Sequence, residues 1–219
     1  MSDLKKFTTF FLGHILHYFV GPLRSLEYPK ETHTGYFDKP VPNTIPIKAD
    51  DGTEITIKVW EPSSLVPRHD MPILLIPGVG VDDQIFSLPT ISINTIDYFT
   101  SRGHRCYVPL MRFNKPELAQ QGWTAYDTRW DVKAAVDFVR SRENNRKFYL
   151  ICHCLGSIST AMALLTGTVD ASWIQGMTIS QVFCNLRFST DNRIKASSPM
   201  LSHLYRVRPH PSLLSILPH

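Results

Sequence analysis

The chain has 219 residues and a formal net charge of +4, with 43% hydrophobic and 19% charged residues. This composition is typical of a globular domain with a sizeable core and argues against a disordered chain. Because the basic residues are spread along the chain without a dense stripe, we expect no nucleic-acid partner. The four cysteines match no zinc-ligand spacing and are too few for a disulfide framework. We therefore expect no metal or other cofactor, and a reducing, cytoplasmic location.

An apolar segment lies near the N-terminus, at residues 7–20 (FTTFFLGHILHYFV). It is shorter than the roughly 20 apolar residues that a transmembrane helix needs. Two interpretations stay open: a helix packed on the protein, and a helix lying on a membrane or partner surface. A cleaved signal peptide is disfavoured because Gly21-Pro22 follows instead of a small-residue cleavage site. With the irregular stretch after it, the segment forms the first predicted region, residues 1–43.

Strand and helix patterns alternate through the predicted core, residues 44–188. In chain order they predict strands at 45–49, 55–59 and 73–76, a helix at 93–99, a strand at 105–108, a helix at 124–142, a strand at 148–152, a helix at 157–165 and a strand at 177–180. The alternation indicates an α/β fold with a mostly parallel sheet covered by helices on both faces. An irregular, basic and proline-containing tail at 189–219 follows.

Local signals mark the ends of several elements. Asp51-Gly52 between two alternating runs predicts a hairpin turn. Thr124, with Asp127 three residues later, is predicted to cap the helix at 124–142. Gly103 is predicted to stand at the position just past the C-terminal cap of the helix that begins at Ile93, where glycine is favoured.

The segment FYLICHCLGS (148–157) passes from a buried strand through a tight turn into a helix of small residues. Cys154 stands at the turn, and the small residues Cys152 and Gly156 lie two positions to either side of it. This pattern is typical of a nucleophile elbow, where strand and helix approach closely around a strained residue. We predict that Cys154 is a nucleophile, at a helix N-terminus that favours the thiolate.

Two backbone N–H groups are predicted to stabilise an oxyanion. The turn directs the N–H of Leu155 toward a reacting carbonyl oxygen, and the second donor comes from a loop after an earlier strand. The loop at 77–80 stands in that place, and its two glycines let the backbone approach a ligand closely. The candidate catalytic residues are therefore Cys154, Leu155 and Val79.

The alternative role for a cysteine after a strand is that of a small core residue. The small residues around Cys154 and the glycine loop upstream favour the nucleophile position over that alternative. His153 is predicted to be a spacer in the turn rather than the catalytic base, because adjacent side chains on such a turn point apart. Cys106 and Cys184 are predicted to be core residues.

Several segments resemble a known superfamily: FSLPTISINTIDYFTSRGH, TAYDTRWDVKAAVDFVR, CHCLGSISTAMALLTG and ISQVFCNLRF. Over residues 44–198 the chain resembles the α/β hydrolases, and its CHCLGS turn is similar to the Cys-containing elbows of polyhydroxyalkanoate synthases and dienelactone hydrolases. The segments resemble more closely the hydrolase modules fused to cholesterol-oxidase-type flavin oxidoreductases. The resemblance implies an α/β-hydrolase fold and no particular substrate. The sequence contains no Gly-x-Gly-x-x-Gly motif of the flavin-binding half.

A hydrolase of this kind uses nucleophile, acid and histidine in that chain order. The chain beyond Cys154 is shorter than the roughly 90 residues that three further strand–helix units need. We therefore expect the last strands of the sheet to be missing. None of the later acids and histidines stands after a clear strand, so no acid or base is assigned. These residues are Asp170, Asp191, His203, His210 and His219.

Three hypotheses for the function follow. The first is an enzyme that hydrolyses or transfers the acyl group of an ester, lactone or thioester of a lipophilic small molecule through a Cys154 thioester. The second is a degenerate or shortened hydrolase fold that binds a ligand, or a partner chain that covers an open sheet edge. The third is a membrane-surface protein anchored by residues 7–20.

Overall fold

The computed structural model describes residues 37–119 and 121–181. Its helices and strands lie in the second of two compact units, Asp38–His219. The described strands form one sheet with the spatial order β1-β2-β4-β3-β5-β6. They are β1 (Asn43–Lys48), β2 (Glu54–Trp60), β3 (Ile73–Ile76), β4 (Cys106–Leu110), β5 (Phe148–His153) and β6 (Ile174–Ser180).

The sheet is antiparallel on one side and parallel on the other. β2 pairs antiparallel with β1 and with β4, whereas β4, β3, β5 and β6 run parallel to one another. Because parallel strands end at the same edge, the loops after these four strands gather at the carboxyl edge of the sheet. This edge is where open α/β sheets bind ligands.

The strands are connected by helices of different lengths. In the described part of the chain these are α1 (Gln84–Ser87), α2 (Thr95–Thr100), α3 (Pro116–Ala119), α4 (Arg129–Arg142) and α5 (Leu155–Leu165), with three-ten turns at Arg112–Asn114 and Ala171–Trp173. α4 and α5 are the long ones, and both belong to the parallel part of the fold.

The fully buried strand β3 shows how the sheet is covered. Leu74 and Ile76 pack in one core cluster with apolar residues of α4 and α5, and Ile73 and Leu75 pack in a second cluster with residues of α1 and α2. Successive side chains of a strand point to opposite faces, so helices cover both faces of the sheet. Each fully buried aliphatic side chain stabilises the fold by about 1.5–3 kcal/mol. The predicted α/β architecture, a mostly parallel sheet with helices on both faces, is confirmed.

The hairpin of β1 and β2 is also confirmed. Ile45 lies opposite Ile57 in an antiparallel register, and the turn between the strands contains Gly52 with a φ of 89°. The side chain of Asp51 accepts a hydrogen bond from the N–H of Thr53 at 3.1 Å. Asp51 and Gly52 thus form the predicted turn, Asp51 through a side-chain hydrogen bond and Gly52 through a positive φ.

The predicted start of α4 at Thr124 is wrong. The carboxylate of Asp127 accepts hydrogen bonds from the N–H and the hydroxyl of Thr124, at 2.8 and 2.7 Å, and holds a separate turn there. The helix begins only at Arg129. The pair that resembles a capping box in the sequence therefore closes a local turn before the helix.

The predicted start of α2 at Ile93 is also wrong, because Asn94 caps the helix in a capping box with Asp97 and the helix begins at Thr95. Ile93 is 69% exposed and does not belong to the apolar face. Gly103, with a φ of 87°, lies further from the helix end than predicted and closes the turn that follows it.

Several predictions concern residues outside the described ranges. They include the apolar segment at 7–20, the tail at 189–219 and the last strands of the sheet. The region boundaries after residues 43 and 188 likewise stay predictions. No described helix is long and apolar enough to cross a membrane.

Candidate active site

The turn between β5 and α5 holds Cys154 in a conformation that residues with a Cβ atom rarely adopt. β5 ends at His153 and α5 begins at Leu155, two residues before the predicted helix start, so Cys154 alone forms the turn. Its φ is 51° and its ψ is −122°. Such a conformation costs about 1–3 kcal/mol and persists only where the surrounding structure imposes it.

Two glycines let the end of β3 pack directly against this turn. A Cβ atom on Gly156 would lie 2.3 Å from the carbonyl oxygen of Pro77, and one on Gly78 would lie 2.6 Å from the Cβ of Cys154. Both distances are far shorter than van der Waals contact, so only glycine fits at either position. Gly78 is therefore needed for close contact with the turn itself, whereas the sequence analysis explained it by close approach of the backbone to a ligand.

Ser180, at the end of β6, ties a third element to the turn. Its carbonyl oxygen accepts hydrogen bonds from the N–H of Cys154 at 3.0 Å and from the hydroxyl of Ser157 at 3.1 Å. Its hydroxyl donates to the carbonyl oxygen of Cys152 at 3.2 Å and lies 3.0 Å from Nδ1 of His153. Sequence analysis missed Ser180, because these partners are distant along the chain and no local pattern joins them.

The predicted oxyanion donors, Leu155 and Val79, lie on the two segments that meet here. The N–H of Leu155 belongs to the first residue of α5, where backbone N–H groups have no intrahelical acceptor. Val79 lies in the β3 loop (residues 77–81) and is half exposed. Among the described residues, neither N–H has a hydrogen-bond acceptor. Because Gly78 contacts Cys154, the β3 loop and the turn lie side by side at the carboxyl edge.

The thiols in this part of the sheet lie in different environments. Cys152 is fully buried, 3.4 Å from Oγ1 of Thr160, and burial raises the pKa of its thiol to about 11 despite that hydrogen bond. Cys106 is a core residue, as predicted, and burial raises the pKa of its thiol well above the usual range. Cys154 is partly exposed, and its side chain makes no capping hydrogen bond to α5. It is the most accessible of the three described thiols.

The described residues bring no acid and histidine together beside Cys154. Asp170 precedes β6 and therefore lies at the opposite, amino edge of the sheet, where its carboxylate accepts the N–H of Ser172. The ring of His153 is engaged with Ser180. In residues 37–119 and 121–181, no three His, Cys, Asp or Glu side chains are grouped so that they could hold a metal ion. The remaining candidates lie outside the described residues: Asp191, His203, His210, His219 and the predicted core residue Cys184.

Asn114, in the loop after β4, is a second residue that sequence analysis missed. Its Nδ2 donates hydrogen bonds to the carbonyl oxygens of Gly78 at 2.9 Å and Val81 at 2.6 Å. The loop after β4 is thereby joined to the β3 loop. The sequence signal for this contact is only a single Asn in a polar, proline-containing loop.

No family model and no curated protein matches the chain. Solved structures with a similar fold include a serine α/β hydrolase without a lid from Xanthomonas campestris, with 12% identity, a TM-score of 0.43 and coverage of 60% of this chain and 59% of that one. An α/β hydrolase from Novosphingobium aromaticivorans has 17% identity, a TM-score of 0.43 and coverage of 65% and 45%. A thermostable carboxyl esterase from Bacillus coagulans has 11% identity, a TM-score of 0.49 and coverage of 64% and 44%.

The chain thus covers between 44% and 59% of the length of these structures. At identities and TM-scores this low, the similarity says nothing about the activity of this chain. What the chain does has to follow from its own residues.

Proposed function

We propose that this chain is an α/β-hydrolase-type enzyme that hydrolyses or transfers the acyl group of an ester, a lactone or a thioester of a lipophilic small molecule. Cys154 is the nucleophile, and the N–H groups of Leu155 and Val79 stabilise the oxyanion. The observation that carries this proposal is the strained backbone of Cys154, which contacts from β3, α5 and β6 enforce.

A purely structural role for Cys154 does not explain this arrangement. A glycine would relieve strain of about 1–3 kcal/mol, and the partly exposed side chain adds little buried apolar surface. A reactive side chain explains both features, because a strained turn that keeps the thiol partly exposed at the carboxyl edge leaves it within reach of a substrate.

The proposed reaction has two steps. The thiolate of Cys154 attacks the substrate carbonyl carbon, so that a C–S bond forms and the carbonyl electron pair moves to oxygen. The two backbone N–H groups donate to this oxyanion, and one such donor contributes about 3–4 kcal/mol to catalysis in acyl transfer. Collapse expels the alkoxide or thiolate, which takes a proton from solvent, and leaves a thioester. Water, an alcohol or an amine then attacks the thioester, releases its proton to solvent and frees the thiolate.

Apolar side chains that follow β3 support a lipophilic substrate. Val79, Val81, Ile85 and Leu88 are between 36% and 50% exposed and continue from the β3 loop into α1 and the residue after it. Exposed apolar side chains on the segment that carries a proposed oxyanion donor favour an apolar ligand.

The second candidate function is a hydrolase fold that binds a ligand or partner chain without turnover. It is favoured by the lack, among the described residues, of an acid and histidine beside Cys154. The outermost described strand, β6, also carries Met177 and Ile179, which are 38% and 39% exposed. A strand of a partner chain can pair with such an edge.

An activated ester separates the two candidates, because p-nitrophenolate leaves without help from a general acid. We expect p-nitrophenyl butyrate to give a burst of p-nitrophenolate and a butyryl adduct on Cys154. Cys154→Ala should lose the burst because it has no nucleophile. Cys154→Ser should lose it because a serine hydroxyl stays protonated without a base.

Cys152→Ala is the matched control. The Cys152 thiol is buried and stays protonated at neutral pH, so this variant should keep the burst of the wild type. A wild-type protein that gives neither burst nor adduct would contradict the enzymatic proposal and favour the binding candidate.

A further inference from the structure

We propose that Asn114 is a positioning residue for the oxyanion hole. Asn114 holds the β3 loop so that the N–H of Val79 faces the carbonyl group that reacts at Cys154. This inference rests on the proposed function, because the orientation of that N–H matters only when an oxyanion forms beside Cys154. It concerns how the site is assembled rather than which residue attacks.

The hydrogen bonds of Asn114 fix one particular peptide plane. Its Nδ2 donates to the carbonyl oxygen of Gly78 at 2.9 Å, and this carbonyl belongs to the same peptide group as the N–H of Val79. In a trans peptide group the C=O and the N–H point in opposite directions. Because Asn114 holds the Gly78 carbonyl on one side, the Val79 N–H must point to the other. A second bond, to the carbonyl oxygen of Val81 at 2.6 Å, holds the loop beyond Val79.

The surroundings of Asn114 determine which side-chain atom faces the β3 loop. Its Oδ1 accepts a hydrogen bond from the backbone N–H of Met111 at 3.0 Å. An N–H group can only donate, so this atom must be the amide oxygen, and the NH₂ group must face the two carbonyl oxygens of the loop. The contact therefore requires an amide, and a carboxylate of the same shape would repel both carbonyls.

A buried ion pair anchors the turn that carries Asn114. Asn114 ends a three-ten turn that begins at Arg112, a residue that is 5% exposed and pairs with the fully buried Asp131 of α4. The carboxylate of Asp131 accepts the backbone N–H of Arg112 at 2.8 Å and its guanidinium at 2.6 Å. A second carboxylate, that of Asp51, accepts the same guanidinium at 2.7 Å. The buried pair thus fixes the turn from which Asn114 reaches the β3 loop.

A role in catalysis can be separated from a role in loop stability by two reactions of one thiol. Acylation by p-nitrophenyl butyrate passes through an oxyanion, whereas alkylation by iodoacetamide displaces iodide at a saturated carbon and forms none. A misdirected Val79 N–H slows only acylation. A loosened fold or a hidden thiol changes both rates together.

The test uses Asn114→Asp, which keeps the shape and the bond to the N–H of Met111 but cannot donate to the loop. We expect the acylation rate of Cys154 to fall about 100-fold, as for the loss or misplacement of one oxyanion donor, with the alkylation rate changed less than about twofold. Asn114→Ala removes the hydrogen bonds to the β3 loop without adding a charge, and it should likewise slow acylation but not alkylation. Asn43→Asp, on the exposed end of β1, the outermost described strand on its side of the sheet, is the control for the added charge and should match the wild type.

The outcomes distinguish this inference from the proposed function. A wild type without a p-nitrophenolate burst would overturn the proposed function and the role of Asn114 together. A wild-type burst with unchanged acylation in both Asn114 variants would overturn the role of Asn114 alone. Equal slowing of acylation and alkylation would also overturn it, since Asn114 would then only stabilise the loop.

Discussion

The two edges of the described sheet are built on different principles. At the carboxyl edge, Cys154 has a strained backbone and a partly exposed side chain, beside N–H groups for which the described residues supply no acceptor. At the amino edge, the carboxylate of Glu143 is 3% exposed and pairs with Arg105 and Arg68, each at 2.7 Å. The hydroxyl of Tyr107 donates to the same carboxylate. The amino edge thus holds a buried ion-pair network, whereas the carboxyl edge presents a strained turn with a partly exposed thiol.

The difference separates stability from chemistry within one sheet. The amino-edge network joins the segments that lead into β3, β4 and β5, because Arg68, Arg105 and Glu143 precede those strands. Strain at Cys154 destabilises the fold, and the amino edge is where such a cost can be offset without blocking a ligand. Substitutions at the two edges should therefore have different signatures.

Glu143→Gln should have the largest effect on stability and little effect on the thiol. Removing one partner of a buried ion pair typically costs 3–5 kcal/mol, and we expect about 3 kcal/mol here because Glu61 still pairs with Arg105. Urea unfolding measures this loss. The exposed Glu117→Gln is the matched control and should change the free energy of unfolding by less than about 0.5 kcal/mol. A decrease in the free energy of unfolding for Glu143→Gln no larger than for Glu117→Gln would contradict the stabilising role of the amino edge.

Gly156→Ala should damage both stability and reactivity. The new Cβ would lie 2.3 Å from a backbone carbonyl oxygen, so we expect a loss of about 2–3 kcal/mol and an acylation rate about 100-fold lower as the turn shifts. Gly167→Ala is the control: its φ of 69° is unfavourable for alanine, but its surroundings are open. It should cost about 1 kcal/mol and leave acylation unchanged. Equal acylation rates in the two variants would argue against the tight turn.

Cys154→Gly should change the free energy of unfolding least. The sign of its difference from Cys154→Ala tests the strain at this residue directly. At most positions glycine is less stable than alanine by about 0.5–1 kcal/mol. At Cys154 the positive φ should reverse this order, so that Cys154→Gly is more stable than Cys154→Ala by about 1 kcal/mol. Thermal unfolding of the two inactive variants measures the difference. The ordinary order, with alanine more stable, would show that the turn is not strained.

Much of the fold could be predicted from local patterns, for physical reasons. Strand periodicity, the Asp-Gly turn and the apolar run of β3 are encoded by neighbouring residues. The place of Cys154 at the turn could also be predicted from neighbouring residues, because the strand, the small neighbours and the start of the helix lie within about ten positions of the chain. Gly78 was noticed for its type, but its contact with Cys154 needed the structure.

The remaining features depend on contacts between distant segments. The arginine partners of Glu143 lie 38 and 75 positions away, and Asn114 lies 36 positions from Gly78. No periodicity links such residues, so their charges and amides resemble ordinary solvated side chains in the sequence. The predicted start of α4 was wrong for a different reason, because Thr124 and Asp127 form the same local hydrogen bonds in a turn as in a helix cap.

Peptide mapping of the protein after treatment with p-nitrophenyl butyrate tests the central claim most directly. We expect the butyryl group on Cys154 alone, with the buried thiols of Cys152 and Cys106 unmodified. A butyryl group that is absent, or found on Cys152, on Cys106 or on lysines instead of Cys154, would contradict the role of this turn as the reactive centre.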